Sequence, residues 1–334
     1  MSKKKVLFVS VLLCFMSAFF ATTTDSAKTE KQANSWAFSI STDFAYYPES
    51  ENVANTETHF APLTGLYSGL EARTTAKAIY TIPCPFSANP LFINNTLKFE
   101  GDLEISPVSL SPGVKITFTP IAFLQFSAGS TIGSAWDFIG VKGLAVYNEL
   151  TDEYDSLDPF SEFYYNTWIQ GMFQFDFAAI FPGDWNHFVT METYKINFEG
   201  ITGDYDGAWM YQGSGEYFSL PNWYTSFVIG YQTPALPVLN TIAINTELSS
   251  YFNTDSLSDY YDDWDPSFVE ISISPLTILN LSPNDTLIVL VHFSSRRSFS
   301  STDSDADTDF TLESISSARE WYFKRIALSW THKF

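Results

Sequence analysis

Alternation of apolar and polar residues with a period of two constrains this chain more than any other feature. Successive side chains of an extended strand point to opposite faces, so the pattern predicts strands with one apolar and one polar face. The clearest segment puts four apolar residues on one face: Leu97, Phe99, Leu103 and Ile105. Its other face carries four charges: Lys98, Glu100, Asp102 and Glu104. This segment is therefore a strand between an apolar and an aqueous environment.

The same pattern recurs along the chain and predicts an all-β fold of about 12 strands, with 14 as the alternative. The predicted strands are 35–47, 69–82, 95–105, 113–119, 122–135, 163–177, 187–199, 222–232, 238–249, 267–274, 285–295 and 320–334. The segment 206–218 could be a further strand. We place it in a loop, because an odd number of strands would put the C-terminus at the wrong rim.

The connections alternate between long polar segments and shorter or proline-bearing joins. The long segments lie near 48–68, 136–162, 200–221, 250–266 and 296–319. Long loops at one rim and tight joins at the other are typical of closed antiparallel barrels in bacterial outer membranes. The sequence therefore predicts a single transmembrane β-barrel domain over 34–334, with a periplasmic N-terminus, extracellular long loops and a polar interior.

The N-terminus carries an export signal. Three lysines precede an apolar run from Val6 to Ala21, which predicts a signal peptide over 1–21, with a cleavage site as late as 27. Only Cys84 then remains, so no internal disulfide is expected. The net charge of -21 argues against nucleic-acid partners.

Aromatic residues near the ends of the apolar faces favour a membrane barrel over a soluble sandwich, because Trp and Tyr prefer the lipid–water boundary. They are Trp36, Tyr46, Tyr165, Phe177, Trp223, Tyr231, Trp330 and Phe334. The last strand resembles the C-terminal strand of Gram-negative outer-membrane barrels, porin-like proteins included, which ends in an aromatic residue. The resemblance implies outer-membrane lipid and the barrel-assembly machinery as partners, with Trp330 and Phe334 as the assembly signal. His332 on the apolar face departs from this pattern.

Charged residues on the polar faces are the candidate functional site. The predicted lumen-lining residues are Glu71, Arg73, Lys77, Lys98, Glu100, Asp102, Glu104 and Lys115. Opposite charges on neighbouring strands can pair across the wall. Such residues can filter solutes by charge, or their ion pairs can close a narrow barrel. Both interpretations remain open at this point.

The sequence favours a small channel for hydrophilic solutes. The alternative is a surface or adhesion barrel with a closed lumen, acting through acidic aromatic loops at 255–265 and 303–309. A remote alternative rests on His292 and Ser294, which resemble the His-x-Ser segment of outer-membrane phospholipases. No enzymatic activity, cofactor or metal is otherwise predicted, because histidines are scattered and nucleotide-binding motifs are absent from the sequence.

Overall fold

The computed structural model describes residues 33–47, 69–86, 91–148, 150–151, 153–205, 207–252, 268–299 and 315–334. The predicted signal peptide and both acidic loop segments lie outside these ranges. No helix in the described ranges is long and apolar enough to cross a membrane, a finding that says nothing about a β-barrel.

Twelve antiparallel strands form a closed barrel. They are β1 (Ser35–Tyr47), β2 (Gly69–Pro83), β3 (Thr96–Ser106), β4 (Ser109–Ile121), β5 (Leu124–Ala135), β8 (Tyr164–Asp176), β9 (Phe188–Ile201), β12 (Pro221–Gln232), β13 (Leu239–Tyr251), β14 (Glu270–Asn280), β15 (Asp285–Phe299) and β16 (Ile315–Lys333). Each pairs with its neighbours along the chain, and β1 closes the barrel against β16 from Ser39↔Lys333 to Tyr46↔Ile326. The predicted fold class and the count of twelve are confirmed.

Four further strands form a separate sheet in the order β11-β10-β6-β7. They are β6 (Leu144–Asn148), β7 (Glu153–Ser156), β10 (Trp209–Tyr211) and β11 (Ser214–Tyr217). The sheet joins two long connections, the one between β5 and β8 and the one between β9 and β12. Segment 206–218 thus stays outside the barrel wall, and the connections at 136–162 and 200–221 contain paired strands that the sequence did not predict. We call this sheet the cap.

Proline explains two errors in the predicted strand bounds. The predicted strand 113–119 starts after Pro112, and the predicted strand 267–274 stops before Pro275. In the structure, however, Pro112 lies inside β4 and Pro275 lies inside β14. Proline has no N–H to donate to a neighbouring strand. Accordingly, the pairing of β4 with β5 is interrupted beside Pro112, and that of β14 with β15 beside Pro275.

The outer surface of the barrel is apolar. Trp36 is 62% exposed and Trp330 is 40% exposed, and aliphatic side chains such as Ile242 and Ile244 cover the wall between the rims. Asp285, at the start of β15, accepts hydrogen bonds from Trp330 Nε1 at 3.1 Å and contacts His332 Nδ1 at 2.9 Å. This contact accounts for a histidine on the apolar face of β16, because its polar ring is satisfied at the rim.

Candidate functional site

Charged side chains on the inner faces of β2, β3 and β4 surround Glu100. Lys115 Nζ lies 2.8 Å from one carboxylate oxygen of Glu100, and Lys77 Nζ lies 3.5 Å from the other. The register places Lys77 opposite Asp102 and Lys98 opposite Thr81. We call this surface the charged wall, and it consists of Lys77, Lys98, Glu100, Asp102 and Lys115.

The remaining predicted site residues form a second network nearer the rim with long loops. Arg73 donates from Nε to Asp43 at 3.2 Å, and its Nη1 lies 3.8 Å from both Glu71 and Glu104. Glu71 also accepts a hydrogen bond from Tyr47 at 2.7 Å. The structure therefore divides the eight sequence-predicted residues between two clusters, and Arg73 joins strands β1, β2 and β3.

Part of the inner face opposite the charged wall is apolar. In the closed order of twelve strands β13 lies six strands away from β3, and the inward side chains around it pack into one cluster. We call it the apolar wall, and it consists of Val228, Ala243, Leu276, Ile278, Ile288 and Leu290. The prediction of a polar interior is wrong for this cluster, whereas Thr241, Asn245 and Ser274 on the same strands are buried polar residues. Apolar residues on both faces of β15, visible at 287–291, were the signal in the sequence.

The side chains of the two walls differ in their exposure to water. Ile278 and Leu290 are 0% and 1% exposed, so no water reaches them. The side chains of Lys77, Glu100 and Lys115 retain 10%, 11% and 16% of their accessible surface. Water that enters the described part of the lumen therefore contacts the charged wall rather than the apolar wall.

A lysine and an indole ring connect the charged wall to the rest of the interior. Trp168 on β8 packs over Gly129, where an added Cβ would lie 2.6 Å from the ring. Lys195 Nζ lies 4.8 Å from the centroid of the Trp168 ring, a cation–π contact. Beside it, Asn197 donates to Asn222 at 2.9 Å, and Asn222 donates to Glu199. This cluster was missed because its residues alternate like those of any other inner face.

The cap contacts the inner face of the barrel near the long-loop rim. Tyr211 shares a 2.6 Å hydrogen bond with Ser111, and Gln212 Nε2 donates to Ser109 at 2.7 Å and to Glu104 at 3.1 Å. Tyr164 on β8 stacks on Tyr211 with ring centroids 4.5 Å apart. The cap thus binds to three barrel strands and covers part of the mouth.

The cap has an aromatic core of its own. Trp209 is fully buried and stacks on Tyr217, with centroids 4.6 Å apart. Burial raises the pKa of Tyr211 to about 12 and raises the pKa of Tyr217 well above its usual value. Both hydroxyls therefore stay neutral at any physiological pH. Two turns with positive φ, at Ile139–Gly140 and Gln212–Gly213, reverse the chain in the two cap connections.

His292 and Ser294 do not form a catalytic pair in this structure. Both side chains point into the barrel, away from lipid, and both are buried. The Ser294 hydroxyl donates to Glu270 at 2.7 Å and contacts Ser272 at 2.9 Å. Neither ring nitrogen of His292 has a hydrogen-bond partner among the described residues. A phospholipase would need the serine hydroxyl bonded to the histidine and open to lipid.

In the described ranges, no group of three or more His, Cys, Asp or Glu side chains is arranged to hold a metal ion. No family model matches the sequence, and no curated protein matches it.

Solved structures with a similar outline are bacterial barrels. An outer membrane channel from Pseudomonas putida F1 aligns with a TM-score of 0.43 and 9% identity, over 93% of this chain and 100% of that chain. The KdgM porin aligns with a TM-score of 0.36 and 10% identity, over 89% and 99% of the two chains. The β domain of the Bordetella autotransporter BrkA aligns with a TM-score of 0.39 and 7% identity, over 89% and 99%.

These similarities are too weak to carry a functional argument, so the assignment rests on the chain's own geometry. Pairing around the whole ring leaves no open strand edge, which lipid would not tolerate, and the exposed outer face is apolar. The chain is a closed antiparallel β-barrel of twelve strands with an apolar outer surface, as a barrel that spans a membrane requires.

Proposed function

We propose that this protein is a narrow channel for small hydrophilic solutes, with its path along the charged wall. The observation that carries the proposal is the unequal exposure of the two walls. Lys77, Glu100 and Lys115 keep water-accessible surface inside the barrel, whereas the apolar wall is closed. Charged side chains along a wet path attract solutes of opposite charge and repel those of like charge.

The two carboxylates of the charged wall would contribute to the ion selectivity of this path. Glu100 is held between two lysines, and Asp102 lies over Gly113, where an added Cβ would meet its carboxylate at 2.7 Å. Both carboxylates thus project into the space above β3 and β4. Cations that follow this wall would interact with them, and removal of the two negative charges would favour anions.

Single-channel conductance in a planar bilayer tests the proposal. We expect discrete steps from the refolded protein and a shift of the ion selectivity toward anions in the double variant Glu100→Gln and Asp102→Asn. Glu192→Gln is the matched control, because Glu192 points outward between Phe173 and Phe227 on the neighbouring strands and is exposed outside the lumen. An inserted barrel without steps would contradict the channel.

The cap favours a second candidate, a surface barrel whose lumen stays shut. Its hydrogen bonds to Ser109, Ser111 and Glu104 cover part of the mouth. The acidic aromatic segment 255–265 and the alternating aspartates at 303–309 would then be the contact surfaces, and both lie outside the described residues. A silent barrel that inserts correctly would support this role.

We also propose that Trp330 and Phe334 form the assembly signal. Trp330 faces outward, and Phe334 is 73% exposed while its backbone N–H donates to Phe38 O at 3.1 Å, at the seam between β1 and β16. Deletion of Phe334 should lower the amount of folded barrel in cells severalfold, yet leave refolding in detergent intact. Equal losses in both assays would indicate a purely structural role.

We also propose that the N-terminal residues of the chain are an export signal. If residues 1–21 are a signal peptide, N-terminal sequencing of protein isolated from outer membranes should give a start between 22 and 28. A start at Met1 in that fraction would contradict it.

A further inference from the structure

Several polar side chains on the inner faces of β14, β15 and β16 are buried without partners. Ser274 is fully buried, His292 is 1% exposed and Arg325 is 4% exposed. The Ser274 hydroxyl, both ring nitrogens of His292, and Nε and Nη2 of Arg325 have no hydrogen-bond partner among the described residues. A buried polar group left unsatisfied destabilises the folded state, and more so when it is charged.

The three side chains are neighbours in the wall. His292 pairs directly with Arg325 between β15 and β16. Ser274 lies in the stretch of β14 between Ile273, which pairs with Phe293, and Leu276, which pairs with Leu290. Ser274 is therefore adjacent to His292. The unpartnered atoms thus form one group rather than three isolated defects.

Arg325 offers an unused two-donor edge. Its Nη1 donates to Tyr47 and lies 3.5 Å from Glu71, which ties one side of the guanidinium to the wall. The other side presents Nε–H and Nη2–H, two parallel donors spaced to match the two oxygens of a carboxylate. An arginine held on one side and free on the other is preorganised for an oxyanion.

Two carboxylates near this group already have partners. Glu71 accepts from Tyr47 and contacts Arg73 and Arg325. Glu270 accepts from Ser294 at 2.7 Å and lies 3.4 Å from Lys324. The charged groups that act on His292 are Lys324 and Arg325, and both are cations. Among the described residues, no carboxylate therefore accepts a hydrogen bond from Nε or Nη2 of Arg325.

We propose that Arg325, His292 and Ser274 bind the carboxylate and adjacent hydroxyl groups of a small hydroxy acid that passes through the lumen. The carboxylate would accept from Nε and Nη2 of Arg325, and hydroxyl groups would pair with His292 and Ser274. These atoms are buried in this structure, so a solute contacts them only after the side chains around them move. The inference rests on the proposed channel and adds a solute class to it.

Thermal unfolding of the refolded full-length barrel in detergent tests the site without any measurement of transport. The probe is sodium gluconate, compared with sorbitol at equal concentration and with sodium chloride at equal ionic strength. Gluconate should raise the midpoint of unfolding above both references, because a ligand that binds only the folded state stabilises it. An equal midpoint in gluconate and in sodium chloride would overturn the proposal.

Variants separate the site from general stability. Arg325→Lys keeps a positive charge beside Glu71 but removes the two-donor edge, so it should abolish the gluconate effect. Arg319→Lys is the matched control on the same strand, because that guanidinium contacts Ser295 at 2.5 Å and lies 4.3 Å from the Phe268 ring. Ser274→Ala should weaken gluconate binding about threefold to tenfold. A gluconate effect that persists in Arg325→Lys would contradict the assignment.

The conductance measurement tests the channel, and the unfolding measurement tests the binding site, so the two proposals can be rejected separately. Conductance steps without a gluconate effect on the midpoint of unfolding would support the channel and overturn the binding site. A gluconate effect in a barrel that gives no conductance steps would retain the site and remove the channel.

Discussion

The charged wall and the apolar wall face each other across one lumen, but they are stabilised differently. On the charged wall Glu100 holds Lys77 and Lys115 in ion pairs that water can still reach. On the apolar wall Ile278 and Leu290 pack with their neighbours and exclude water. The first wall depends on charge balance and the second on close packing. A single barrel can therefore combine water-accessible charged side chains with a packed apolar cluster on its inner surface.

The largest expected effect is on the apolar wall. Leu290→Ala should lower the free energy of unfolding by about 2–5 kcal/mol, because it leaves a cavity among buried side chains. Urea unfolding in detergent measures this loss. Leu103→Ala is the control, since Leu103 is 41% exposed on the outer face and should cost much less. Equal losses at the two positions would show that the apolar wall is not a packed core.

A smaller loss is expected on the charged wall. Glu100→Gln leaves Lys77 and Lys115 without their shared carboxylate and should cost about 1–3 kcal/mol. The same urea titration measures it, and high salt should reduce the difference from wild type because screening weakens partly exposed ion pairs. A loss as large as that of Leu290→Ala would mean that both walls are equally dry.

The cap makes a third contribution to stability, and this contribution is lost at alkaline pH. Burial raises the pKa of Tyr211 to about 12, above the value near 10 of an unfolded tyrosine. Its stabilising contribution is therefore complete below pH 10 and is lost as pH rises through 12. At pH 11 the loss is about 1.4 kcal/mol. Hydrogen exchange of segment 207–213 between pH 9 and pH 11, corrected for the intrinsic exchange rate, should show the opening.

The smallest expected effect is that of Tyr211→Phe, which removes the hydrogen bond with Ser111 and keeps the ring stack on Tyr164. The cap should lose about 1 kcal/mol of local stability and the barrel almost none. Hydrogen exchange at pH 7 measures both in one experiment. Tyr194→Phe is the control on the outer face, where the side chain is 46% exposed. Cap opening in the control as well would exclude the assigned role of the Tyr211 hydroxyl.

Strand number and facing were predictable because alternation is a local property. The charges from Lys98 to Glu104 share one face in the sequence, and they share one face in β3. Pro112 and Pro275 were misleading, because a missing N–H interrupts the pairing with one neighbour without ending the strand. The cap was not predictable, since it depends on pairing between β6 and β10, which are about sixty residues apart.

What the sequence alone determined is the alternation that makes a closed, lipid-facing barrel of twelve strands, together with the charges on its inner faces. Only the tertiary structure decided which of those charges meet, that an apolar cluster packs on one side of the interior, and that two long connections pair into a cap. The physical reason is the separation along the chain between the residues that interact. Side-chain facing follows from neighbouring residues along one strand, whereas ion pairs, packing and the unpartnered edge of Arg325 depend on closure of the ring.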